Sequence, residues 1–486
     1  MYMGIDIGTS AVKAVVIDDS GGVVDQASAP LNVSRPRPLW SEQDPAEWWS
    51  ATNRAVGDLR LPLRKAVRAI GLSGQMHGAT LLDKHQRALR PAILWNDGRS
   101  AQQCLDLERA VPDMTQITGN RAMPGFTAPK LLWVRLHEPE IFAQTAMVLL
   151  PKDYVRLRMT GEAASDMSDS AGTLWLNVAQ RRWSDAMLCA TGLGIAHMPK
   201  LFEGNEITGE LRAELAEAWG MQRVPVVGGG GDNAAGAVGV GVVRAGDAFL
   251  SLGTSGVLFL ANDGYRPNPA GGVHTFCHAL PKHWHQMSVI LSAASCVDWA
   301  ARLCGLGTAG ALFDAAEARN RPTAGEIFLP YLSGERTPHN DPNAQGVLFG
   351  LTQESSTSCV AQAVLEGVAF AFRDGMDALL ASGAKIESIS VIGGGARSAY
   401  WGRILSSVLR RPLTYRDSGA VGPAYGAARL ARMGAEKASI EEVCTHPPIL
   451  HVAEPDERLA DLYSQKIGRY RSLYQNLKAI FSETSP

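Results

Sequence analysis

The sequence predicts an α/β protein of two lobes with similar topology, and two observations carry that reading. The first is an internal repeat. MYMGIDIGTSAVKAVVIDD sets Gly8, Thr9 and Ser10 between β-rich runs at Met3 to Ile7 and Ala11 to Asp18; roughly 245 residues later DAFLSLGTSGVLFLAND sets Gly253, Thr254 and Ser255 between Phe249 to Leu252 and Gly256 to Leu260. The second is the mixing of such β-runs with helical patterns, as in SISVIGGGARSAYWGRILSSVLR, where a run at Ile389 to Ile392 meets three glycines and then an amphipathic helix. A chain of 486 residues that is 46% hydrophobic can bury more than one core. The expected lobes are residues 1–242 and 243–486.

Taken in order, the first hairpin is extended by a third run, Gly22 to Ala27, into a meander. Small polar residues at a hairpin tip serve ordinary turn chemistry. Two copies in two lobes add another expectation: facing tips offer backbone N–H groups and hydroxyls to one anion, as suits phosphate. Lys13, just past the first tip, adds a point charge or remains a solvated strand residue. Asp6 lies between Ile5 and Ile7 on a strand, where acids are depleted. Either a turn hydrogen bond satisfies it, or it stands beside phosphates and holds Mg²⁺ directly or through water. Further along, DPAEWWSATNRAVGDL has Asp44 as helix N-cap, Pro45 behind it and Glu47 completing a capping box.

AIGLSGQMHGATLLD reads as strand, polar turn, strand, with Gln75 and His77 interleaved with Gly74 and Gly78. His77 is either a satisfied core histidine or a donor and acceptor beside open space, as polyol recognition requires; Met76 is expected to pack. PAILWNDGRS ends a β-run in Trp95, Asn96, Asp97 and Arg99, where Asn-Asp-Gly is equally a turn signature and a set of sugar ligands, and where Arg99 has Asp97 as a ready partner. VPVVGGGGDNAAGAVGVGVV holds one acid, Asp232, at a strand-to-helix junction, followed by Asn233. An N-cap is one reading; a general base that four preceding glycines leave open to substrate is the other. Gly393, Gly394, Gly395 and Ala396 form a strand-turn-helix cradle for a nucleotide. The Rossmann fingerprint is incomplete there, and without a Gly-Lys pair anywhere a Walker A loop is excluded.

Lys plus Arg number 46 against 48 Asp plus Glu, which argues against bulk recruitment of nucleic acid or an anionic membrane. Seven scattered cysteines, never closer than Cys296 and Cys304, write neither a zinc knuckle nor a disulfide framework. No apolar run reaches the ~18 residues of a membrane span and no secretory leader is visible, so a cytoplasmic location is expected.

These residues, with LRPAILWNDGRS, MPGFTAPKLLWV and YLSGERTPHNDPNAQGVLFGLT, resemble the FGGY carbohydrate kinase family essentially end to end. The resemblance implies two ribonuclease H-like domains of the actin and hexokinase type, each with a five-stranded mixed sheet, around a central cleft. It implies ATP and Mg²⁺ as cofactors, and phosphorylation of D-xylulose to D-xylulose 5-phosphate. Ribulose or a related polyol is the alternative substrate, and an actin-like ATPase switch the alternative outside the class. Asp232 would be the catalytic base; Asp6 would serve metal and phosphates; Met76, His77, Asn96, Asp97 and Asn233 would line the sugar pocket. Thr9, Ser10 and Lys13 match the first phosphate motif, Gly253, Thr254 and Ser255 the second, and Gly393 to Ala396 the adenosine motif. Ala11, where the second loop has Gly256, is a mild departure. A homodimer is also implied. Arg336 and His339 are expected to be structural contacts between lobes.

Overall fold

The computed structural model describes residues 1–319, 321–393, 398–417 and 422–483. The first half of the chain builds one sheet from β1 (Tyr2–Ile7), β2 (Ala11–Ile17), β3 (Val23–Pro30), β4 (Ala69–Gly74), β5 (Ile207–Glu210), β6 (Pro225–Val227) and the short β7 (Gly230–Gly231). The second half builds another from β8 (Asp247–Leu252), β9 (Gly256–Asn262), β10 (His274–Cys277), β11 (Trp284–Ile290), β12 (Ser388–Ile392), β13 (Leu413–Arg416) and β14 (Ile449–Ala453).

The first sheet runs β5-β6-β4-β1-β2-β3, with β7 beside β4; the second runs β10-β11-β9-β8-β12-β13-β14. In both, an antiparallel run, of three strands in the first sheet and four in the second, continues through two parallel strands and ends on an antiparallel one. The expected five-strand pattern therefore lies inside each sheet, and each sheet is larger than expected, with seven strands. The strand β8 repeats β1 at the tip end, where each has a half-exposed residue, Asp6 and Ser251, two positions before the tip glycine.

The two halves are bound by more than a cleft. The helix Pro423–Glu436, late in the sequence, packs on β1 and β4 of the first sheet and crosses the helix Asp232–Val240. The contact is backbone on backbone: a Cβ on Gly4 would lie 1.8 Å from the Ala424 carbonyl oxygen, and one on Gly426 would lie 1.7 Å from that of Ala235. Any side chain at these glycines would push the layers apart. A second seam joins Phe249, Phe259 and Phe276 to Leu131, Leu174 and Trp175 in one apolar cluster. The Asp44 N-cap forms, its Oδ1 accepting the Ala46 amide at 2.9 Å, without the reciprocal Glu47 bond of the expected capping box.

Candidate active site

Between the halves lies a cavity of about 190 Å³, reached from the first half by Met76, His77, Asp232 and Asn233 and from the second by Ser255 and Arg336. Asp232 is the first residue of its helix, and Gly231 takes the N-cap position. The N-cap reading of Asp232 therefore gives way to a narrower one. Its Oδ1 accepts the backbone N–H of Asn233 at 2.7 Å and the Asn233 side-chain amide at 2.9 Å. Among the described residues Oδ2 has no partner. Burial raises the Asp232 pKa, and the Asn233 bonds hold it back.

The glycines before Asp232 do something other than clear space for substrate. Gly229 has φ +73° and a Cβ there would strike the Leu72 carbonyl; a Cβ on Gly228 would strike that of Glu203, and one on Gly231 the Met76 side chain. They let β7 run against β4 inside the first lobe, and so fix where Asp232 emerges.

His77 is a lining residue and not a sealed core histidine. It adopts φ +70°, an uncommon region for a non-glycine residue. Lys130 Nζ and Thr127 Oγ1 donate to its carbonyl at 2.9 and 3.2 Å, holding that turn. Its Nδ1 donates to the Gly172 carbonyl at 2.7 Å, which leaves Nε2 as an acceptor. Burial, reinforced by Lys130 and Arg336, depresses its pKa to about 3, so the ring is neutral at physiological pH.

Asp6 faces Lys13 across the first hairpin and Ser73 on β4. Its Oδ1 is enclosed without a hydrogen-bond partner among the described residues. Burial and then the charge of Asp232 raise its pKa to about 7, against the pull of Ser73 and Lys13. Two acids that repel each other, one with an orphaned oxygen, are an arrangement that a cation would relieve.

Not every expected ligand reaches the cavity. Asp97 is buried and saturated: Oδ2 accepts the Ser41 amide at 2.6 Å, and both oxygens engage Arg99, which also reaches Glu42 at 2.7 Å. Its charge is consumed by that pair, and Asn96 beside it is exposed away from the lining. Gln75 instead ties the first tip, accepting from Thr9 Oγ1 at 3.1 Å while donating to Gln43 at 2.8 Å. Trp95, a lining residue, donates to the same Thr9 hydroxyl at 3.0 Å. Ser10 and Thr254 are exposed at their tips. The second tip is held by amides of the helix Ala294–Leu303 region, Ala293 to Thr254 and Ala294 to Gly253, both at 2.9 Å. Gly393 ends β12 at φ +97°, and Gly394, Gly395 and Ala396 lie outside the described residues.

Models of the FGGY family of carbohydrate kinases match this chain twice, its N-terminal domain over residues 1–239 and its C-terminal domain over 248–435. The chain belongs to the FGGY family of carbohydrate kinases. It is 57% identical to a xylulose kinase of Escherichia coli K12 over 481 residues, 98% of this chain and 99% of that one. It is 53% identical to a xylulose kinase of Klebsiella pneumoniae over 99% of this chain and 100% of that one. Among solved structures, a xyloylose kinase from Brucella ovis superposes with a TM-score of 0.96 at 50% identity, with 99% of each chain covered.

An FGGY kinase is a sugar phosphotransferase that draws on ATP, and the cavity fits that chemistry. Among the described residues no three His, Cys, Asp or Glu side chains form a metal cage. Mg²⁺ takes one or two carboxylates and completes its shell with phosphates and water. Asp6, with its unpartnered oxygen, is the donor that fits. Among the described residues no helix is long and apolar enough to cross a membrane.

Sequence reasoning missed most of the second half's contribution to the cavity: Val257, His274, Phe276, Val289 and Arg336 all line it. His274 and Phe276 sit two apart on β10, on one face, and period-two alternation in GVHTFCH was the signal that marked them.

Proposed function

We infer that this FGGY kinase transfers the γ-phosphoryl group of ATP to the terminal hydroxyl of D-xylulose, giving D-xylulose 5-phosphate and ADP. The observation that carries the reading is the Asp232 carboxylate, one oxygen pinned by Asn233 and the other left for a ligand, in a cavity shared by both halves. Relatives named as xylulose kinases over the full chain support the choice of sugar.

In this mechanism the sugar lies with its terminal hydroxyl against Asp232 Oδ2. That oxygen takes the hydroxyl proton as the sugar oxygen bonds to the γ-phosphorus and the bond to the bridging β–γ oxygen breaks, releasing ADP. The raised pKa of Asp232 makes it a better proton acceptor than an exposed carboxylate. Mg²⁺, when bound, neutralises phosphate charge, and Asp6 would hold it. Met76, His77 and Asn233 are assigned to the sugar. Thr9, Ser10 and Lys13 are assigned with Gly253, Thr254 and Ser255 to the phosphates, and Gly393 to Ala396 to the adenosine. Lobes divided near residue 242, a cytoplasmic location and a homodimer belong to the same proposal.

An ADP-release screen across xylulose, ribulose, fuculose, glycerol and gluconate tests it. D-Xylulose should lead in kcat/KM by at least about tenfold, the scale that a single mismatched polar contact reaches. A faster competitor would move the assignment to that sugar.

A further inference from the structure

The strongest unexplained feature of the cavity is a positive charge. Arg336 lines it, and no carboxylate pairs with its guanidinium among the described residues. Other enclosed guanidiniums lean on carboxylates or carbonyls within the fold: Arg99 on Asp97 and Glu42, and Arg429 on the carbonyls of Val238, Gly239 and Thr445. Arg336 has one long side-chain bond, NH1 to His274 Nε2 at 3.4 Å. The adjacent Glu335 acts on it without forming an ion pair: its Oε1 accepts the amides of Leu291 and Arg336 at 3.0 and 2.7 Å, and its Oε2 has no hydrogen-bond partner among the described residues. A buried charge left this far from satisfied is costly unless something that enters the site completes it.

The surroundings say which chemistry completes it. His274 Nδ1 donates to Asn120 Oδ1 at 3.3 Å, and Asn120 is oriented by the Thr275 amide on the same oxygen and by its own Nδ2 donating to Thr118 and Thr275 carbonyls at 2.8 Å. His274 is thereby fixed as an acceptor, spends one Arg336 N–H, and leaves the rest of the fork for the cavity. The backbone on either side is clamped, since Thr337 exchanges hydrogen bonds with Val289 at 3.1 and 3.0 Å and donates to Gly272 at 2.8 Å. His339, three residues on, belongs elsewhere: it stacks on Tyr474 at 3.7 Å. Arg336 and Asp232 line one cavity, the guanidinium beside His274 of the second half and the carboxylate on a helix of the first.

We propose that Arg336 is a sugar-binding residue that recognises an acceptor-only oxygen at the end of the substrate remote from the reacting hydroxyl. In a ketose this is the carbonyl of the open chain; in the corresponding aldonate it is the carboxylate. His77, a lining residue whose Nε2 is left as an acceptor, takes the neighbouring hydroxyl. The proposal rests on the phosphorylation reading above and adds which groups of the sugar are read and by what.

The test compares Arg336→Gln and Arg336→Lys with the wild type, using D-xylulose as substrate and D-xylonate and xylitol as competing ligands. Arg336→Gln should raise the KM for D-xylulose about 10- to 100-fold, as loss of a charged hydrogen bond in a desolvated site does, with kcat at saturating sugar lowered by less than about threefold. The wild type should bind D-xylonate more tightly than xylitol, and Arg336→Gln should erase that preference. Lysine, which keeps the charge without the fork, should fall between and carries the test if the glutamine variant does not fold. An unchanged KM, or inhibition constants for xylonate and xylitol that weaken by one common factor, overturns the assignment. Wild-type turnover of D-xylulose reports separately on the phosphorylation reading.

Discussion

The two hairpins look like copies of each other and are closed one residue apart. In the first, Ile7 pairs with Val12 and Asp6 with Lys13; in the second, Leu252 pairs with Gly256 and Ser251 with Val257. Moving a pairing by one residue turns every side chain of the strand to the other face. Held in the second register, the first hairpin would set Val12, which is buried in the first lobe's core, opposite Asp6, and would turn Lys13 away. Held in the first register, the second would bring the core residue Leu258 opposite Ser251 in place of Val257, which lines the cavity. The shift thus makes one tip charged and the other neutral. The site's acids, Asp6 and Asp232, belong to the first lobe, and the second lobe supplies hydroxyls, an apolar wall and the Arg336 guanidinium.

The largest effect should come from the charged side. Asp232→Asn keeps an oxygen to accept the Asn233 amide and removes the proton acceptor, so kcat should fall by about 10²–10⁴ with D-xylulose affinity nearly unchanged. Steady-state kinetics with calorimetric sugar binding checks this, and native turnover in the variant would assign Asp232 to the helix start alone.

Next comes the pair at equivalent positions. Asp6→Asn should lower kcat by about 10²–10³, the cost of losing a preorganised charge where phosphate charge develops, whereas Ser251→Ala should cost less than about threefold. Equal losses would mean that the tips are used alike. The same substitution has an opposite effect on stability. Asp6 titrates near 3.8 when free and about 7 in the fold, so the folded protein holds the extra proton between those values and loses stability as pH rises through that window. Asparagine removes the penalty. Without nucleotide or metal, Asp6→Asn should melt higher than wild type at pH 8, by about 1 °C per kcal/mol relieved, with the gain shrinking toward pH 4.

What was legible in the sequence follows the same division. The hairpins, the Asp44 cap and the junction at Asp232 are local patterns, and local turn chemistry and periodicity expose them. The register shift is invisible because both loops read Gly-Thr-Ser; it is decided by which residues each core accepts, Val12 in one lobe and Leu258 in the other. The pairing of Asp97 with Arg99 is written two residues apart, but the Ser41 amide and the Glu42 carboxylate that complete this buried cluster come from more than 50 residues away. The helix Pro423–Glu436 reaches the first sheet through glycines more than 300 residues away, Gly4 and Gly71, a complementarity that no window of sequence contains. The Arg336 loop stood out by its polarity, but only its missing counter-charge shows what it faces.

The smallest expected effect tests the register itself. The tips diverge at Ala11 and Gly256, which occupy the same place in the repeat. A Cβ on Gly256 would lie 2.4 Å from Phe372 Cζ and 2.6 Å from Ile290 Cγ1, and both side chains are buried in the second lobe's core, where neither can swing away. Gly256→Ala should therefore cost about 1–3 kcal/mol of stability through overpacking. Ala11 is half-exposed beside a turn closed by the Gly8 amide on its own carbonyl at 3.0 Å, and that bond needs no side chain. Ala11→Gly should cost no more than the added backbone entropy, about 0.5–1 kcal/mol, with turnover within about twofold of wild type. Thermal melts of the two variants measure the difference. Had phosphate approach dictated the glycine, Gly256→Ala would spare stability and raise the KM for ATP; packing against Phe372 predicts a lower melting temperature with little change in that KM.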